Sequence, residues 1–196
     1  MVKLPRPGRV KTRLARGIGA VPAAWWMRHQ LRRLWRRLAD PRWDMVLAVA
    51  PDAALCAADW PRGLPLLAQG QGDLGDRMGR LLRSLPPGPV CIIGADIPDI
   101  TCAHVARAFG ALGRADVVFG PAPDGGYWLV GMRRTTRIPA TLFHGVRWSS
   151  AHALADSIAS LPRMRIAQVD TLADVDVPAD LKPRRDHARP ARPATE

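Results

Sequence analysis

The sequence predicts an α/β fold in which helices cover a mostly parallel sheet. Short apolar segments typical of strands alternate along the chain with amphipathic segments of helical period. Residues 89–96 are apolar without alternation, as expected of a strand buried on both faces. The length of 196 residues and the hydrophobic fraction of 47% suit one globular domain with its own core.

The elements of this fold can be assigned along the chain. Helices are predicted over four ranges, which are 22–39, 73–84 with Asp73 as N-cap, 101–112 with Thr101 as N-cap, and a segment from Ser149 or Ser150 to 161. Strands are predicted at 44–49, 64–68, 89–96, 116–120, 127–132 and 165–169. The domain is expected to span residues 1–181, and the Pro- and Arg-rich residues 182–196 are expected to be a disordered basic tail.

The composition narrows the function classes. The net charge of +12 favours an anionic partner, which is nucleic acid, an anionic membrane surface or a phosphorylated small molecule. Three cysteines without a Cys-x-x-Cys pair argue against a disulfide framework or a zinc site, so we expect a cytoplasmic protein. No apolar run approaches the roughly 18 residues that a membrane span needs.

A basic loop, PRPGRVKTRL, opens the chain at residues 5–14. Pro7 and Gly8 favour a turn, and Lys11 and Arg13 follow it beside backbone N–H groups, in front of a segment that can form a helix. Cations and N–H groups in this arrangement bind phosphate, so the loop is a candidate phosphate site. The alternative is a basic N-terminal arm without a ligand.

Acidic residues lie at predicted strand ends, where ligands bind in open α/β sheets. Asp96 ends the most apolar strand, Asp124 precedes two glycines and another strand, and Asp176 belongs to the acidic segment DTLADVDVPADL. Asp96 is predicted to hold Mg²⁺ or Mn²⁺ that carries phosphate oxygens, with Asp176 as its partner across the sheet. The alternatives are a helix cap for Asp96 and an ordinary Asp-Gly-Gly turn for Asp124, which the local pattern favours.

A basic loop combined with separated carboxylates predicts phosphoryl or glycosyl transfer. Both reactions depend on stabilising the charge of a departing diphosphate more than on a nucleophilic side chain. The five histidines are scattered, and the sequence has no Ser-His-Asp or Cys-His arrangement.

Six motifs in order make the chain resemble the rSAM/selenodomain-associated transferases of the GT-A-type nucleotide-diphospho-sugar transferase superfamily. They are KLPRPGRVKTRLARGIG, QGQGDLGDRM, IIGADIPDIT, GPAPDGGYWLVGM, LFHGVRWSS and DVDVPADL, between residues 3 and 181. The resemblance implies a GT-A/Rossmann-like three-layer sandwich and a metal-dependent glycosyltransferase that uses a nucleotide-diphospho-sugar donor and a small-molecule acceptor. The chain is also similar to the phospholactate guanylyltransferase and molybdenum-cofactor nucleotidyltransferase groups, which imply nucleotidyl transfer from an NTP to a phosphorylated small molecule.

The resemblance also implies roles for single residues. Those expected near the nucleotide are Pro7, Gly8, Lys11, Arg13, Gln69, Gly72, Asp73, Leu74, Arg77 and Asp96. Those expected on the acceptor side are Asp124, Gly125, Gly126, Trp148 and Ser149. Lys11, Arg13 and Asp124 are the expected catalytic residues, and Asp96 and Asp176 are the expected ligands of Mg²⁺ or Mn²⁺.

Two features depart from the superfamily pattern. Only Met1 and Val2 precede Lys3 where a full strand is usual, so we expect a truncated or absent first strand and a natural start upstream. The segment GADIP has one acid instead of Asp-x-Asp, which fits the nucleotidyltransferases better.

A third function class is a non-catalytic basic protein that binds nucleic acid. Arg28, Arg32, Arg33, Arg36 and Arg37 line one face of the helix at 22–39, and the tail adds further cations. A solvated helix face is the alternative reading of this stripe. The concentration of motifs at strand ends argues against nucleic acid as the partner.

Overall fold

The computed structural model of the protein describes residues 1–181. The strands are β1 (Val2–Lys3), β2 (Leu47–Ala50), β3 (Leu66–Ala68), β4 (Val90–Ile93), β5 (Val117–Pro121), β6 (Tyr127–Met132) and β7 (Ile166–Gln168). The α-helices are α1 (Thr12–Ile18), α2 (Ala20–Leu38), α3 (Leu74–Ser84), α4 (Cys102–Ala111) and α5 (Ala153–Ala159), and two short 3-10 helices span Asp52–Cys56 and Pro178–Asp180. The predicted basic tail, residues 182–196, lies outside the described residues.

The strands form two groups that confirm the predicted α/β class. A three-stranded group has the order β1-β2-β3 and is wholly parallel. A four-stranded group has the order β4-β6-β5-β7, in which β6 runs antiparallel to both of its neighbours and β7 runs parallel to β5. Three of the five pairings between described strands are therefore parallel.

The first strand is short, as the sequence indicates. Its two residues pair in parallel with β2, and the Met1 ammonium donates a hydrogen bond of 2.7 Å to the Ile93 carbonyl at the end of β4. This contact links the three-stranded group to the four-stranded one. Burial lowers the pKa of the Met1 amine to about 6.

Two apolar clusters lie on opposite faces of the strands and give the three layers. Along β5, Val118 packs into the cluster formed with α2 and α4, whereas Val117 and Phe119 pack into the cluster formed with α3. This alternation follows from the period of two in a strand, and all three side chains are completely buried. Among the described residues no helix is both long and apolar enough to cross a membrane.

The first residues of α3, α4 and α5 can be compared with the N-caps that the sequence predicts. Asp73 and Thr101 are the N-caps of α3 and α4, and each side chain accepts a hydrogen bond from the backbone N–H three residues later, as predicted. The prediction for α5 is wrong, because α5 begins at Ala153 after His152. Ser150 instead closes a preceding turn, where its hydroxyl donates to the Arg147 carbonyl and accepts from the His152 N–H.

Asp116, directly before β5, joins the ends of three strands. Its carboxylate accepts hydrogen bonds from the guanidinium groups of Arg165, at 3.1 Å, and Arg133, at 2.6 Å, and from the Arg165 backbone N–H at 3.0 Å. Because of the Arg165 side chain above all, the pKa of Asp116 falls to about 2 from its ordinary 3.8. Because the pKa of Asp116 is lowered in the folded protein, its ionised carboxylate stabilises the fold at pH values above the ordinary pKa of 3.8. This stabilisation is lost as the pH falls from 3.8 towards 2.

We therefore expect Asp116→Asn to flatten the acid dependence of stability. Urea unfolding at a series of pH values should give a smaller fall in the free energy of unfolding between about pH 4 and 2 than in the wild type. The same substitution at the exposed Asp44 is the matched control and should keep the wild-type fall. Identical acid profiles for wild type and Asp116→Asn would contradict the assignment.

Candidate functional site

The carboxyl ends of β1, β2 and β3 open onto a cavity of about 730 Å³ that we call the basic cavity. Its size is within the range of ligand sites. Four cations line it, and they are Lys3, Arg6, Arg9 and Arg77. Arg6 and Arg9 are exposed and belong to the loop after β1, whereas Arg77 lies on α3. These four cations outnumber the one carboxylate in the described lining, that of Asp52, so the cavity offers net positive charge to an anionic ligand.

The loop after β1 is a turn, as the Pro-Gly pattern predicts. The Arg9 N–H donates to the Arg6 carbonyl at 3.0 Å, and Gly8, at φ 73°, adopts the left-handed conformation that glycine favours. Pro7 and Gly8 are exposed. The turn directs Arg6 and Arg9 to the basic cavity. Both arginines belong to the quoted loop PRPGRVKTRL, in which only Pro7, Gly8, Lys11 and Arg13 were expected as site residues.

A second cavity, of about 360 Å³, lies beyond the carboxyl ends of β4 and β5. It brings together six residues that were expected in the site from the sequence: Leu74, Asp96, Asp124, Gly126, Trp148 and Ser149. Residues that the sequence analysis missed also line it, including Tyr127, Trp128 and Asp174. Four of the five predicted acceptor-side residues thus meet Asp96 at one place.

The Asp124-Gly125-Gly126 turn holds one wall of the second cavity. The Asp124 carboxylate accepts a hydrogen bond of 2.9 Å from the Gly126 N–H, so the local turn that the pattern favours is present. Gly125 has φ 84°, and a Cβ there would collide with the Ala151 backbone. Gly125 is therefore required by the turn itself, while Asp124 remains exposed towards the cavity.

Three carboxylates converge on Lys11, and we call them the acid cluster: Asp96, Asp174 and Asp176. The Lys11 Nζ lies 2.6 Å from Asp96, 3.1 Å from Asp174 and 3.7 Å from Asp176. The Lys11 side chain is only 8% exposed. Burial by itself lowers the pKa of Lys11, but Asp96 and Asp174 outweigh it and raise the pKa, so Lys11 is a cation.

Arg13 adds a second cation at the edge of the acid cluster. Its guanidinium lies 2.7 Å from the Asp176 carboxylate, and the side chain is 68% exposed. The predicted phosphate-binding pair, Lys11 and Arg13, is therefore paired with carboxylates. Asp174 could have been found from its spacing, because residues two apart in an extended segment share a side, and Asp176 had been selected.

Three of the predicted nucleotide residues have structural contacts. The buried Gln69 amide donates to the carbonyls of Val2, at 3.0 Å, and Ala48, at 2.8 Å, which fastens β1 to β2. The Gly72 carbonyl accepts from Arg77 at 3.1 Å. The Asp73 carboxylate caps α3 and accepts from the Trp148 indole at 3.2 Å. Binding of a nucleotide by these three residues stays a prediction.

The acid cluster has the carboxylate ligands that Mg²⁺ or Mn²⁺ prefers, but the Lys11 ammonium fills the space between them. Carboxylate oxygens suit both ions. The Lys11 ammonium lies where these carboxylates converge. Within residues 1–181 no group of three His, Cys, Asp or Glu side chains is arranged to hold a metal ion. In this arrangement the residues do not fit a divalent ion, and the metal prediction stays a prediction.

Two of the five arginines on the predicted basic face of α2 make contacts within the protein. Arg28 pairs with Asp59 at 3.1 Å, and Arg37 donates to the carbonyls of Pro98 and Ile100. Arg32, Arg33 and Arg36 remain exposed. These contacts reduce the charge that α2 offers to nucleic acid.

A solved structure shares this architecture. The crystal structure of a candidate nucleotide-diphospho-sugar transferase from Desulfovibrio desulfuricans G20 is similar to this chain, with 34% identity and a TM-score of 0.80 over 90% of this chain and 80% of that one. Rv0371c from Mycobacterium tuberculosis H37Rv is more distant, with 16% identity and a TM-score of 0.48 over 79% of this chain and 80% of that one. No curated protein matches. The model of the family DUF2064, described as an uncharacterized protein conserved in bacteria, matches residues 33–150, and the chain belongs to this family.

Proposed function

We propose that this protein transfers a glycosyl group from a nucleotide-diphospho-sugar to a small-molecule acceptor. One observation carries the proposal: the loop after β1 serves both cavities. Arg6 and Arg9 of this loop line the basic cavity, while Lys11 of the same loop holds Asp96, which lines the second cavity. The similarity to a candidate nucleotide-diphospho-sugar transferase supports the donor class.

In this proposal the basic cavity takes the donor. A nucleoside diphosphate is strongly anionic, and the basic cavity supplies the guanidinium groups of Arg6, Arg9 and Arg77. One guanidinium group can donate two parallel hydrogen bonds to the oxygens of a phosphate. The same charges stabilise the diphosphate as it leaves the sugar. Fixed charge of this kind, placed where negative charge develops, is the main electrostatic contribution to such reactions.

In this proposal the second cavity takes the acceptor. Trp148 and Tyr127 provide aromatic surface against which an apolar face can pack. An acceptor hydroxyl attacks the anomeric carbon, the bond from that carbon to the diphosphate oxygen breaks, and the hydroxyl proton passes to the Asp124 carboxylate. No step passes through a divalent ion, because Lys11 fills the acid cluster.

Nucleotidyl transfer is the second candidate, and the single acid of the segment GADIP favours it. Asp96 stands in GADIP, without the Asp-x-Asp pair. In this reaction a phosphate or carboxylate of the acceptor attacks the α-phosphorus of an NTP and pyrophosphate leaves. Product analysis separates the two candidates, because a nucleoside diphosphate is released in the first and pyrophosphate in the second.

A thermal-shift panel tests the donor site. Sugars linked to UDP, GDP, ADP and dTDP and the free NTPs are added to the full chain, each with Mn²⁺ or with EDTA. A donor at 100 times its dissociation constant adds about 2.7 kcal/mol, which corresponds to a rise in Tm of roughly 5–10 °C. We expect such a rise for one donor class, and the EDTA arm tests the metal dependence that the resemblance to rSAM/selenodomain-associated transferases implies.

Matched charge variants locate the site. The double variant Arg6→Ala/Arg9→Ala should lose the rise in Tm, because both arginines line the basic cavity. The double variant Arg114→Ala/Arg163→Ala removes the same charge from two exposed positions elsewhere and should keep it. An equal rise in both double variants, or no rise with any donor in the wild type, would overturn the proposal.

A further inference from the structure

The backbone directs Lys11 into the acid cluster. Lys11 has φ 45° and ψ 51°, a left-handed conformation that residues with side chains rarely adopt, and it is the N-cap residue of α1. Arg9, two residues earlier, lines the basic cavity, whereas the Lys11 side chain is buried among carboxylates. A strained conformation persists where the surrounding contacts hold it, and here those contacts are the ion pairs of the ammonium group.

The Lys11 ammonium occupies the point at which the acid cluster converges. An ammonium has three hydrogens, and carboxylate oxygens of three different residues lie within 3.7 Å of Nζ. These carboxylates reach the point from different parts of the fold, because Asp96 follows β4 while Asp174 and Asp176 follow β7. A cation is therefore built into the chain at the point where the three carboxylates converge.

The charges around Lys11 are nearly compensated without any ion. Lys11 and Arg13 supply two positive charges against the three carboxylates of the acid cluster. A divalent cation that entered with Lys11 in place would meet a like charge at close range, and the repulsion would oppose its binding.

The acid cluster is also held by contacts that do not involve Lys11. The Val175 N–H donates to the Asp96 carbonyl at 3.2 Å. The Trp128 indole donates to the Asp170 carbonyl at 2.8 Å, and Arg107 pairs with the Asp170 carboxylate at 2.8 Å. The segment that carries Asp174 and Asp176 is therefore anchored to the loop after β4, to β6 and to α4 independently of the ammonium.

We propose that the Lys11 ammonium is the resident cation of the acid cluster, held by Asp96, Asp174 and Asp176 in place of a divalent metal ion. A donor diphosphate would then meet Lys11, Arg13 and the basic cavity without needing a metal. Binding of the donor without a metal rests on the proposed function. Occupation of the acid cluster by the Lys11 ammonium does not.

Titration of the full chain with Mn²⁺ alone, followed by electron paramagnetic resonance, tests the proposal. We expect the wild type to bind no stoichiometric Mn²⁺ below about 1 mM, as for a site closed by a like charge. Lys11→Met keeps the length of the side chain and removes the charge, so it should bind Mn²⁺ at least about tenfold more tightly. Adding Asp96→Asn to Lys11→Met should abolish this gain.

Two further variants make the result decisive. Arg9→Met removes a cation from the same loop outside the acid cluster and should bind Mn²⁺ no better than the wild type. Lys11→Met/Asp174→Asn removes one charge of each sign, and it tests the same gain if the single variant does not fold. Tight stoichiometric Mn²⁺ binding by the wild type that Asp96→Asn removes would overturn the proposal, as would the lack of any gain in both Lys11 variants. The Mn²⁺ titration gives its answer even if no nucleotide binds, so it separates this inference from the proposed function.

Discussion

Replacing Asp96 with Asn is expected to lower the turnover number of the proposed transfer about 100- to 1,000-fold. Asp96 lines the second cavity and holds the Lys11 Nζ at 2.6 Å, the shortest of the three contacts in the acid cluster. Asn has the same shape but no charge. The ammonium is therefore expected to move towards Asp174, away from the position in which it faces the diphosphate.

Initial rates with the donor identified by the thermal-shift panel measure this effect. The loss should fall mainly on kcat, because Arg6, Arg9 and Arg77 still hold the donor. Asp99→Asn removes an exposed acid from the same loop and should keep the wild-type rate. A change of less than about threefold for Asp96→Asn would rule out the role that we assign to it.

Replacing Trp128 with Ala is expected to lower the free energy of unfolding by about 3–5 kcal/mol. Trp128 is 3% exposed on β6, and its indole N–H donates to the Asp170 carbonyl at 2.8 Å. The substitution leaves a void between the sheet and α4, and it releases the segment that leads to Asp174. A fall in Tm of roughly 6–20 °C should accompany the loss in a chain of this size.

Urea unfolding of three tryptophan variants checks this prediction. Trp128→Phe keeps most of the ring packing and loses the hydrogen bond, so its cost should be smaller than that of Trp128→Ala. Trp25→Ala, at a side chain 57% exposed on α2, should stay within about 0.5 kcal/mol of the wild type. Equal costs at positions 128 and 25 would mean that Trp128 does not hold the core together.

The parts of the fold that depend on local sequence were predictable. The strand predicted at 127–132 is β6 (Tyr127–Met132), because its apolar run is bounded by glycine and arginine. Asp73 and Thr101 cap their helices through contacts three residues away, which the sequence displays directly. The start of α5 was missed because two serines compete for the cap, and Ser149 adopts φ 58°, outside the helical region.

The residues that line the second cavity were predictable, but the ion pairs of Lys11 were not, since they join residues distant in sequence. The strand-end rule brought Asp96, Asp124 and Trp148 to one cavity. The same rule cannot reveal that Lys11 turns away from the basic cavity, because its partners Asp96 and Asp174 lie 85 and 163 residues along the chain. A local pattern of cations beside a turn indicates phosphate binding whether or not a distant carboxylate is there to pair with them.

The distance along the chain between Lys11 and Asp174 has a consequence for biosynthesis. At translation rates of about 5–20 residues per second, Asp174 follows Lys11 out of the ribosome by roughly 8–33 s. In the second half of that interval Lys11 can meet Asp96 but not the carboxylates that complete its surroundings. Throughout the interval α1 lacks the 3-10 helix at Pro178–Asp180 that packs against it. The acid cluster is therefore among the last parts of the molecule to assemble, and a nascent chain cannot complete it before nearly all of the domain has been made.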